Sequence, residues 1–243
     1  MPNWDTAANI INDAAVELAL ISSDVADPYA SSDINLVQLV RHLKSLGQDL
    51  VRDYQWTHLQ RQHTFNTVAG VDTYQLPTDF QRFIDQTGWN RTQRMPLIGP
   101  VSPQGWQQLQ VMTSAGVVDI MYRIVGDQLK LFPAPQADDT ISYEFISDLW
   151  VSHVGDTEPL TNAPVSGAEQ LWFDRRLLVC GVKLRWLRAK GFDTTAAQDD
   201  YDRALSRAQG GDGVAPVLNL NRQPFTANRA LDLANVPETG FGT

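Results

Sequence analysis

The chain has 243 residues, 43% of them hydrophobic, and a formal net charge of −9 at pH 7. Tight nucleic-acid binding needs clustered Lys and Arg side chains, so the acidic balance disfavours a nucleic-acid-binding protein. No apolar run approaches the roughly 18 residues of a membrane helix, and the N-terminal stretch lacks the pattern of a secretory signal. We therefore expect a soluble protein with no membrane partner and no export.

Two amphipathic helices are predicted at the N-terminal end. Residues 6–21 place apolar side chains three and four positions apart, on one helix face. A turn-rich stretch follows, and a cap at Ser32 or Asp33 then opens a second helix that runs to about residue 56. Gly47 inside this helix costs about 1 kcal/mol relative to Ala, which indicates close packing there.

Residues 64–150 carry the pattern of strands and turns. A hairpin is predicted at 64–76 around a turn at 69–72, followed by a strand at 81–87 and a short helix from Ser102. A second hairpin is predicted from 118 to 131 around the turn Gly126-Asp127. Residues 140–146 add a strand, and these segments together predict a small antiparallel sandwich or barrel.

The chain then returns to helix. Residues 168–190 carry an apolar band too wide for a surface helix, so this helix should lie buried beneath the first two. Gly191 is the expected stop, and Asp193 or Thr194 the expected cap of a last helix. The predicted fold class is α+β. An antiparallel helical bundle (1–61 and 165–209) carries an inserted β-rich domain (62–164) and an extended C-terminal tail (210–243).

The tail contains three prolines and no helical period, so it cannot bury enough surface to order itself alone. The motif Gly210-Gly-Asp-Gly follows a helix rather than a strand, and we interpret it as a flexible linker instead of a phosphate loop. The tail is either a mobile segment of no consequence or an extended contact with a partner. Its candidate anchors are the isolated apolar residues Leu218, Leu220, Phe225, Leu231 and Phe241.

The third long helix is basic in an acidic chain. Positive charge toward a helix C-terminus is favourable in itself, which is one interpretation. The other is a contact with acidic residues of a neighbouring subunit or with DNA at the rim of a channel. The candidate contact residues are Arg175, Arg176, Arg185 and Arg188.

No catalytic, metal or cofactor pattern stands out. The four histidines are scattered, and His58 and His63 have the wrong spacing for a metal-binding helix pair, so we expect surface or interface histidines. The carboxylates in the β-rich part are more typical of solvated or turn residues than of a glycosidase pair, namely Asp79, Asp85 and Glu144. The lone cysteine, Cys180, is expected to be a buried thiol. We predict no enzymatic activity, metal or cofactor.

The β-rich part contains Tyr74-Gln-Leu-Pro-Thr-Asp-Phe, and later a Gly126-Asp127 hairpin that ends in Leu131-Phe-Pro-Ala-Pro. With two helices before it and two after, the chain over residues 1–209 resembles the head-to-tail adaptor proteins of tailed bacteriophages, the group that includes the tail tubular protein A type. The resemblance implies a structural virion protein of the neck, assembled in the host cytoplasm. It also implies a ring, usually of twelve subunits, bound to the portal protein under a DNA-filled head.

In this interpretation the helical part contacts neighbouring copies, the β module faces the distal tail or nozzle protein, and the C-terminal tail reaches along the portal. DNA passes through the channel without sequence-specific binding. The alternative is a carbohydrate-binding or receptor-binding tail module, suggested by Trp89, Trp106 and Trp150 in the β-rich part. A third hypothesis is an enzyme that degrades the cell wall.

Overall fold

A computed structural model of the chain describes residues 4–111 and 119–212, and the following helices and strands belong to these two ranges. The helices are Ala7–Glu17 (α1), Ile34–Asp53 (α2), Pro103–Val111 (α3), Arg175–Lys190 (α4) and Thr195–Asp212 (α5). The strands are Asp5–Thr6 (β1), Gln60–Asn66 (β2), Thr73–Gln75 (β3), Phe80–Phe83 (β4), Trp89–Asn90 (β5), Met95–Pro96 (β6), Met121–Val125 (β7), Gln128–Phe132 (β8), Thr140–Ser147 (β9), Val151–Ser152 (β10) and Gln170–Leu171 (β11). The mixture of helices and antiparallel sheets confirms the α+β class.

Side-chain caps define where the long helices begin. The Asp33 carboxylate accepts a hydrogen bond from the amide of Asn35 at 2.8 Å, and the Asp174 carboxylate accepts one from Leu177 at 3.1 Å. At the other end of α4, Gly191 has φ +75°, the left-handed conformation expected of a glycine stop. The caps at Asp33 and Gly191 confirm the sequence prediction at both positions.

The predicted helix at 168–190 is wrong in its first seven residues. Gln170–Leu171 forms β11, which pairs with β1 on one side and β10 on the other. The two residues after β11, Trp172 and Phe173, form a bend, and the helix begins only where the Asp174 carboxylate caps its first turn. Leu171, Trp172 and Phe173 are buried from this strand and bend, which produces the apolar pattern that suggested a helix.

A helical core occupies one part of the molecule. α4 lies at its centre and packs on α1, α2 and α5, and its residues from Leu177 to Val182 are buried, including Cys180. The prediction of a buried third long helix and a buried thiol is confirmed. Gly47 on α2 lies against the fully buried ring of Trp150, which confirms close packing there.

Two sheets enclose a second core. In the first, β9 pairs with β2 on one side and with β4 and β5 on the other, and β6 pairs with β5. The second has the order β3-β8-β7. The core contains apolar side chains of both sheets, including Tyr122, Leu129, Leu131, Ile141, Tyr143 and Phe145. The hairpin around Gly126, which has φ +60°, is confirmed, as is β9.

The predicted hairpin at 64–76 is wrong. β2 pairs with β9 through Gln60↔Ile146 to Asn66↔Thr140, whereas β3 pairs with β8 through Thr73↔Lys130 to Gln75↔Gln128. The two segments lie in different sheets, because each finds its apolar partners in a distant strand. The predicted strand at 81–87 is shorter than expected, since β4 ends at Phe83.

The linker prediction for Gly210-Gly-Asp-Gly is wrong for its first three residues. α5 continues through Asp212, beyond the predicted end of the helical region at 209. The Asp212 carboxylate accepts hydrogen bonds from the Thr57 amide at 2.8 Å and the Thr57 hydroxyl at 2.6 Å, which holds this last turn in place. The division into a helical and an inserted β-rich domain stays a prediction.

Candidate interaction surfaces

The basic face of α4 is neutralised largely within the chain at its N-terminal half. The Arg175 guanidinium donates to the Asp13 carboxylate at 2.8 Å and lies 3.1 Å from that of Asp5. Arg176 donates to Glu17 at 2.8 Å, and Lys183 pairs with the same carboxylate. These pairs join α4 to α1 and, through Asp5, to β1. Arg175 and Arg176 nevertheless keep 41% and 55% of their side-chain surface exposed.

The C-terminal half of α4 is bound in the same way to α2 and α5. Arg185 donates to the Asp49 carboxylate at 2.6 Å and to the Ser45 hydroxyl at 2.8 Å, and Arg188 donates to the side-chain oxygen of Gln198. The structure thus places all four candidate arginines in contacts between helices of one chain. Their contact with a neighbouring subunit or with DNA stays a prediction.

These ion pairs also shift the pKa values of two side chains on this face, Arg175 and Glu17. The hydrogen bond and the charge of Asp13 raise the pKa of Arg175, with a smaller contribution from Asp5. Partial burial favours the neutral form of Glu17, but Lys183 and Arg176 outweigh it and lower the pKa of this carboxyl. Both side chains therefore stay charged at neutral pH, so their ion pairs remain formed.

A cavity with aromatic walls lies where the end of α5 meets the segment before α4. It has a volume of about 510 Å³, and Trp4, Trp56, His58, Trp172 and Phe173 contribute rings to its lining. The rings of Trp4 and Trp172 stack with centroids 4.2 Å apart. The sequence gives no signal for this cluster, because its members come from three segments that carry no common motif.

His58 was expected to be a surface or interface histidine; its side chain is only 14% exposed, so it is not a surface residue, and an interface role stays a prediction. Its Nδ1 lies 3.5 Å from the carboxylate of Asp212, and its ring meets those of Trp4, Trp56 and Phe173. Burial lowers the pKa of His58, and the nearby Asp212 offsets part of that effect. The histidine is therefore mostly neutral at pH 7 and is held by ring contacts.

The three tryptophans that suggested a carbohydrate platform lie in different environments. Trp106 is 5% exposed and Trp150 is fully buried, where its Nε1 donates to the carbonyl of Asn162. Trp89 is 42% exposed and borders a shallow pocket of about 330 Å³ together with Arg91 and Arg94. A sugar platform that uses all three rings is therefore excluded.

Of the carboxylates considered for catalysis, Asp79 has structural partners and Glu144 borders the shallow pocket beside Trp89. Asp79 pairs with Arg61 at 3.0 Å and accepts a hydrogen bond from the Ser147 hydroxyl at 2.8 Å. Glu144 is an exposed position of β9, and Asp85 lies beyond the end of β4. Within residues 4–111 and 119–212, no group of three or more His, Cys, Asp or Glu side chains is arranged to hold a metal ion.

Of the helices α1 to α5, none is both long and apolar enough to span a membrane. The five candidate anchors of the C-terminal tail, Leu218, Leu220, Phe225, Leu231 and Phe241, lie outside the described residues. Their role as partner contacts stays a prediction.

Comparison with known proteins adds the family. A search of curated proteins finds no match. The family model described as SU10 adaptor protein matches residues 5–222, which is most of the chain and includes α1 through α5 and the sheets between them. This match confirms the resemblance to phage head-to-tail adaptors that the motifs indicated. The chain belongs to the SU10 adaptor protein family of bacteriophage structural proteins.

Proposed function

We propose that this protein is a head-to-tail adaptor that binds the portal as an oligomeric ring, closes the DNA-filled head and forms the platform for tail attachment. The observation that carries the proposal is the family match over residues 5–222. Membership of a phage adaptor family implies a place in the virion neck. A ring of twelve copies and assembly in the host cytoplasm are the finer parts of this proposal, and we propose no enzymatic role.

The outer surface of the helical part supports a contact between copies. Ile34 and Val165 are 68% and 72% exposed, and Val37 is 39% exposed. Val37 and Val165 line a groove of about 400 Å³ together with Arg41 and Lys44. Clustered apolar side chains with a polar rim are typical of protein–protein contacts. A head-to-tail contact between identical subunits closes into a ring when its rotation permits.

Separate helical and β-rich cores support separate partners. We propose that the helical part packs beside neighbouring copies and the β-rich part faces the distal tail or nozzle protein. The C-terminal tail then binds the portal through its spaced apolar anchors. DNA passes through the ring without sequence-specific contacts, in keeping with the net charge of −9. Many weak contacts around a ring act together, because each raises the effective concentration of the next.

The direct test is to incubate the purified protein with DNA-filled, tailless heads and to image the portal vertex by electron microscopy. We expect a ring of added density at that vertex, whose symmetry gives the number of copies. Heads that are incubated without the protein provide the control. Bare vertices in the presence of excess folded protein contradict portal binding.

The contribution of the C-terminal tail is testable with one truncation. The cut belongs after Asp212, because Gly210, Gly211 and Asp212 form the last turn of α5. We expect the protein that lacks residues 213–243 to remain folded but to bind heads at least about tenfold more weakly, since its anchors for the portal are gone. A truncated protein that binds as tightly as the full chain contradicts the proposed role of the tail.

A second candidate function rests on Trp89 alone. Its ring is exposed beside Arg91 and Arg94, and small-molecule sites typically combine an aromatic ring with a few polar groups. If this surface binds carbohydrate, cell-surface oligosaccharides should shift the fluorescence of the protein, and a Trp89→Ala variant should lose that shift. No shift with the intact protein removes this candidate.

A further inference from the structure

The strand β2 lies at an open edge of its sheet. It pairs with β9 along its whole length, from Gln60↔Ile146 to Asn66↔Thr140. On its other side, no strand among residues 4–111 and 119–212 pairs with it. An open edge presents a row of backbone donors and acceptors to any chain that approaches.

Hydrogen bonds on the far side of β9 identify which backbone groups of β2 face outward. The carbonyls of Thr140 and Glu144 accept from Arg91 at 2.8 Å and Ile84 at 3.0 Å, so the even-numbered residues of β9 direct their backbone groups away from β2. Because direction alternates along a strand, the odd-numbered residues of β9 face β2. Tyr143, for example, is opposite His63.

The partners of these odd-numbered residues, Arg61, His63 and Phe65, therefore use their backbone groups within the sheet. The backbone groups of Gln62, Thr64 and Asn66 face outward. Among the described residues, no other backbone group outside the sheet forms a hydrogen bond with the backbone of these three residues. The open edge thus offers three N–H donors and three carbonyl acceptors at the spacing of a strand.

The usual protections of an edge strand are missing in β2. Natural edges carry proline, lysine, a bulge or a covering segment. The seven residues of β2 include no proline or lysine, their register with β9 is continuous, and the one arginine, Arg61, is bound to Asp79 and to the Pro159 carbonyl. Hydrogen bonds to the Ser142 hydroxyl hold the side chains of Gln62 and Thr64 over β9, at 2.6 and 3.0 Å. Those side chains therefore do not cover the edge.

Space for a further chain exists beside this strand. A polar groove of about 460 Å³ is lined by residues 60–63 of β2 and, from other segments, by Pro77, Asp79 and Glu158. Glu158 is 75% exposed and lies 3.8 Å from Arg61, so the groove carries surplus negative charge at this end. On the inner face, the rings of His63, Phe65 and Tyr74 form a row with centroids 5.8 and 4.8 Å apart.

We propose that the open edge of β2 binds an extended segment of a partner protein in the assembled neck, which joins the sheet as an additional strand. The proposal rests on the chain being part of a neck assembly. Main-chain hydrogen bonds to Gln62, Thr64 and Asn66 provide the affinity. The segment should carry an apolar side chain at every second position, against His63 and Phe65, and a basic residue at the end nearest Glu158.

Hydrogen exchange tests the proposal in the particle itself. The amides of Gln62, Thr64 and Asn66 should exchange rapidly in the free protein and at least about tenfold more slowly in purified tailed particles, because each is then bonded to the added strand. The amides of His63 and Phe65 provide the internal control, since they are already bonded to β9 in both states. Equal exchange of the outward amides in free protein and particles overturns the proposal.

A matched pair of variants provides the second measurement. Thr64→Pro removes the outward N–H while leaving the bonds of His63 and Phe65 to β9, and proline is tolerated at such edge positions. Thr64→Ala loses the same side-chain contact with Ser142 but keeps the N–H. We expect Thr64→Pro to reduce the yield of tailed particles at least about tenfold and Thr64→Ala to leave it within about twofold of the unaltered protein. Equal yields from both folded variants overturn the proposal. If the proline variant fails to fold, the exchange measurement decides.

These outcomes are separate from the test of portal binding. Protected edge amides in particles support strand addition even when the purified protein leaves the portal vertex bare. A ring at the portal vertex with unprotected edge amides in tailed particles supports the adaptor function and overturns strand addition.

Discussion

Gly47 packs so tightly that no side chain fits in its place. A Cβ atom added there would lie 2.2 Å from two ring carbons of Trp150. The indole is fixed, because Trp150 is fully buried and its Nε1 donates to Asn162 at 2.7 Å. We expect Gly47→Ala to lower the free energy of unfolding by about 3 kcal/mol, the upper part of the range for overpacked cores. Urea denaturation measures this loss.

Gly210 supplies the matched control. It lies in α5 with no heavy atom within 4 Å of an added Cβ atom. Gly210→Ala should therefore raise the free energy of unfolding by about 0.5 to 1 kcal/mol, because alanine restricts the unfolded chain and suits a helix. If both substitutions change the free energy of unfolding in the same direction, the packing argument for Gly47 is refuted.

Three histidines make the stability depend on pH. Burial lowers the pKa values of His42, His58 and His63 below their ordinary value of 6.5. Each binds fewer protons in the folded chain than in the unfolded chain, so their contribution is complete above pH 6.5 and is lost as the pH falls below it. Thermal unfolding at pH of about 7.5 and about 5.5 should show a lower Tm at the acidic value.

Substitution of one histidine separates the histidine contribution to the pH dependence of Tm from the contribution of the carboxylates. In His58→Gln the loss of Tm between the two pH values should be smaller than in the unaltered chain. The lowered pKa of Glu17 acts only at more acidic pH, below its ordinary value of 4.5. If Tm falls as much between the two pH values in His58→Gln as in the unaltered chain, the buried imidazole of His58 does not contribute to the pH dependence.

At the scale of elements, the end of α5 shows how one carboxylate fixes a helix terminus. Asp212 is 10% exposed and accepts two hydrogen bonds from Thr57. A chain that ends after residue 209 should be less stable than one that ends after Asp212, by about 1 to 3 kcal/mol for two hydrogen bonds to a charged group. Calorimetry of the two truncated chains checks this, and equal Tm values would show that the contact contributes nothing.

Local signals in the sequence predict helices and turns well in this protein. The cap at Asp33, the serine of Ser102, whose hydroxyl accepts from the Gly105 amide at 3.1 Å, and the turn at Gly126 all act within a few residues. Strand partners are not local. Alternation along β2 predicts a strand but cannot tell whether it pairs with β3 or with β9, and the nearer choice was wrong. The helical start of α4 was misplaced because the three residues Leu171, Trp172 and Phe173 before it are as apolar and as buried as those of a core helix.

For the whole molecule, β9 is the strand that joins the two cores. Phe145 packs in the β-rich core, whereas its neighbour Ile146, on the opposite face, packs in the helical core. Residues up to Asp212 form one compact unit. Because one strand is buried on both faces, neither core can open without exposing the other.

We therefore expect a single cooperative unfolding transition. Ile146→Ala and Phe145→Ala should each lower the free energy of unfolding by about 2 to 5 kcal/mol and shift the same transition. Differential scanning calorimetry distinguishes this from two independent domains, for which each variant would shift one of two peaks. Two peaks would support the predicted division of the chain into separately folding domains.

The cavity and the ion pairs at the surface of the molecule were harder to predict from the sequence than its helices and strands. The cavity at the end of α5 brings together Trp4, His58 and Trp172, which are far apart in the sequence. The sequence shows that α4 is basic, but the partners of its arginines on α1, α2 and α5 depend on how the helices pack, and their contact with another subunit or with DNA stays a prediction. The resemblance to adaptors was recognisable because its motif lies in continuous segments of the β-rich part.

The burial of the only cysteine also has a practical use. Cys180 is 2% exposed, and burial raises the pKa of its thiol, so the native protein should resist maleimide dyes. A cysteine introduced at an exposed position would then be the single reactive group of each copy. One dye per subunit would report the spacing between neighbours by energy transfer, and stepwise photobleaching of an assembled neck would count its copies directly.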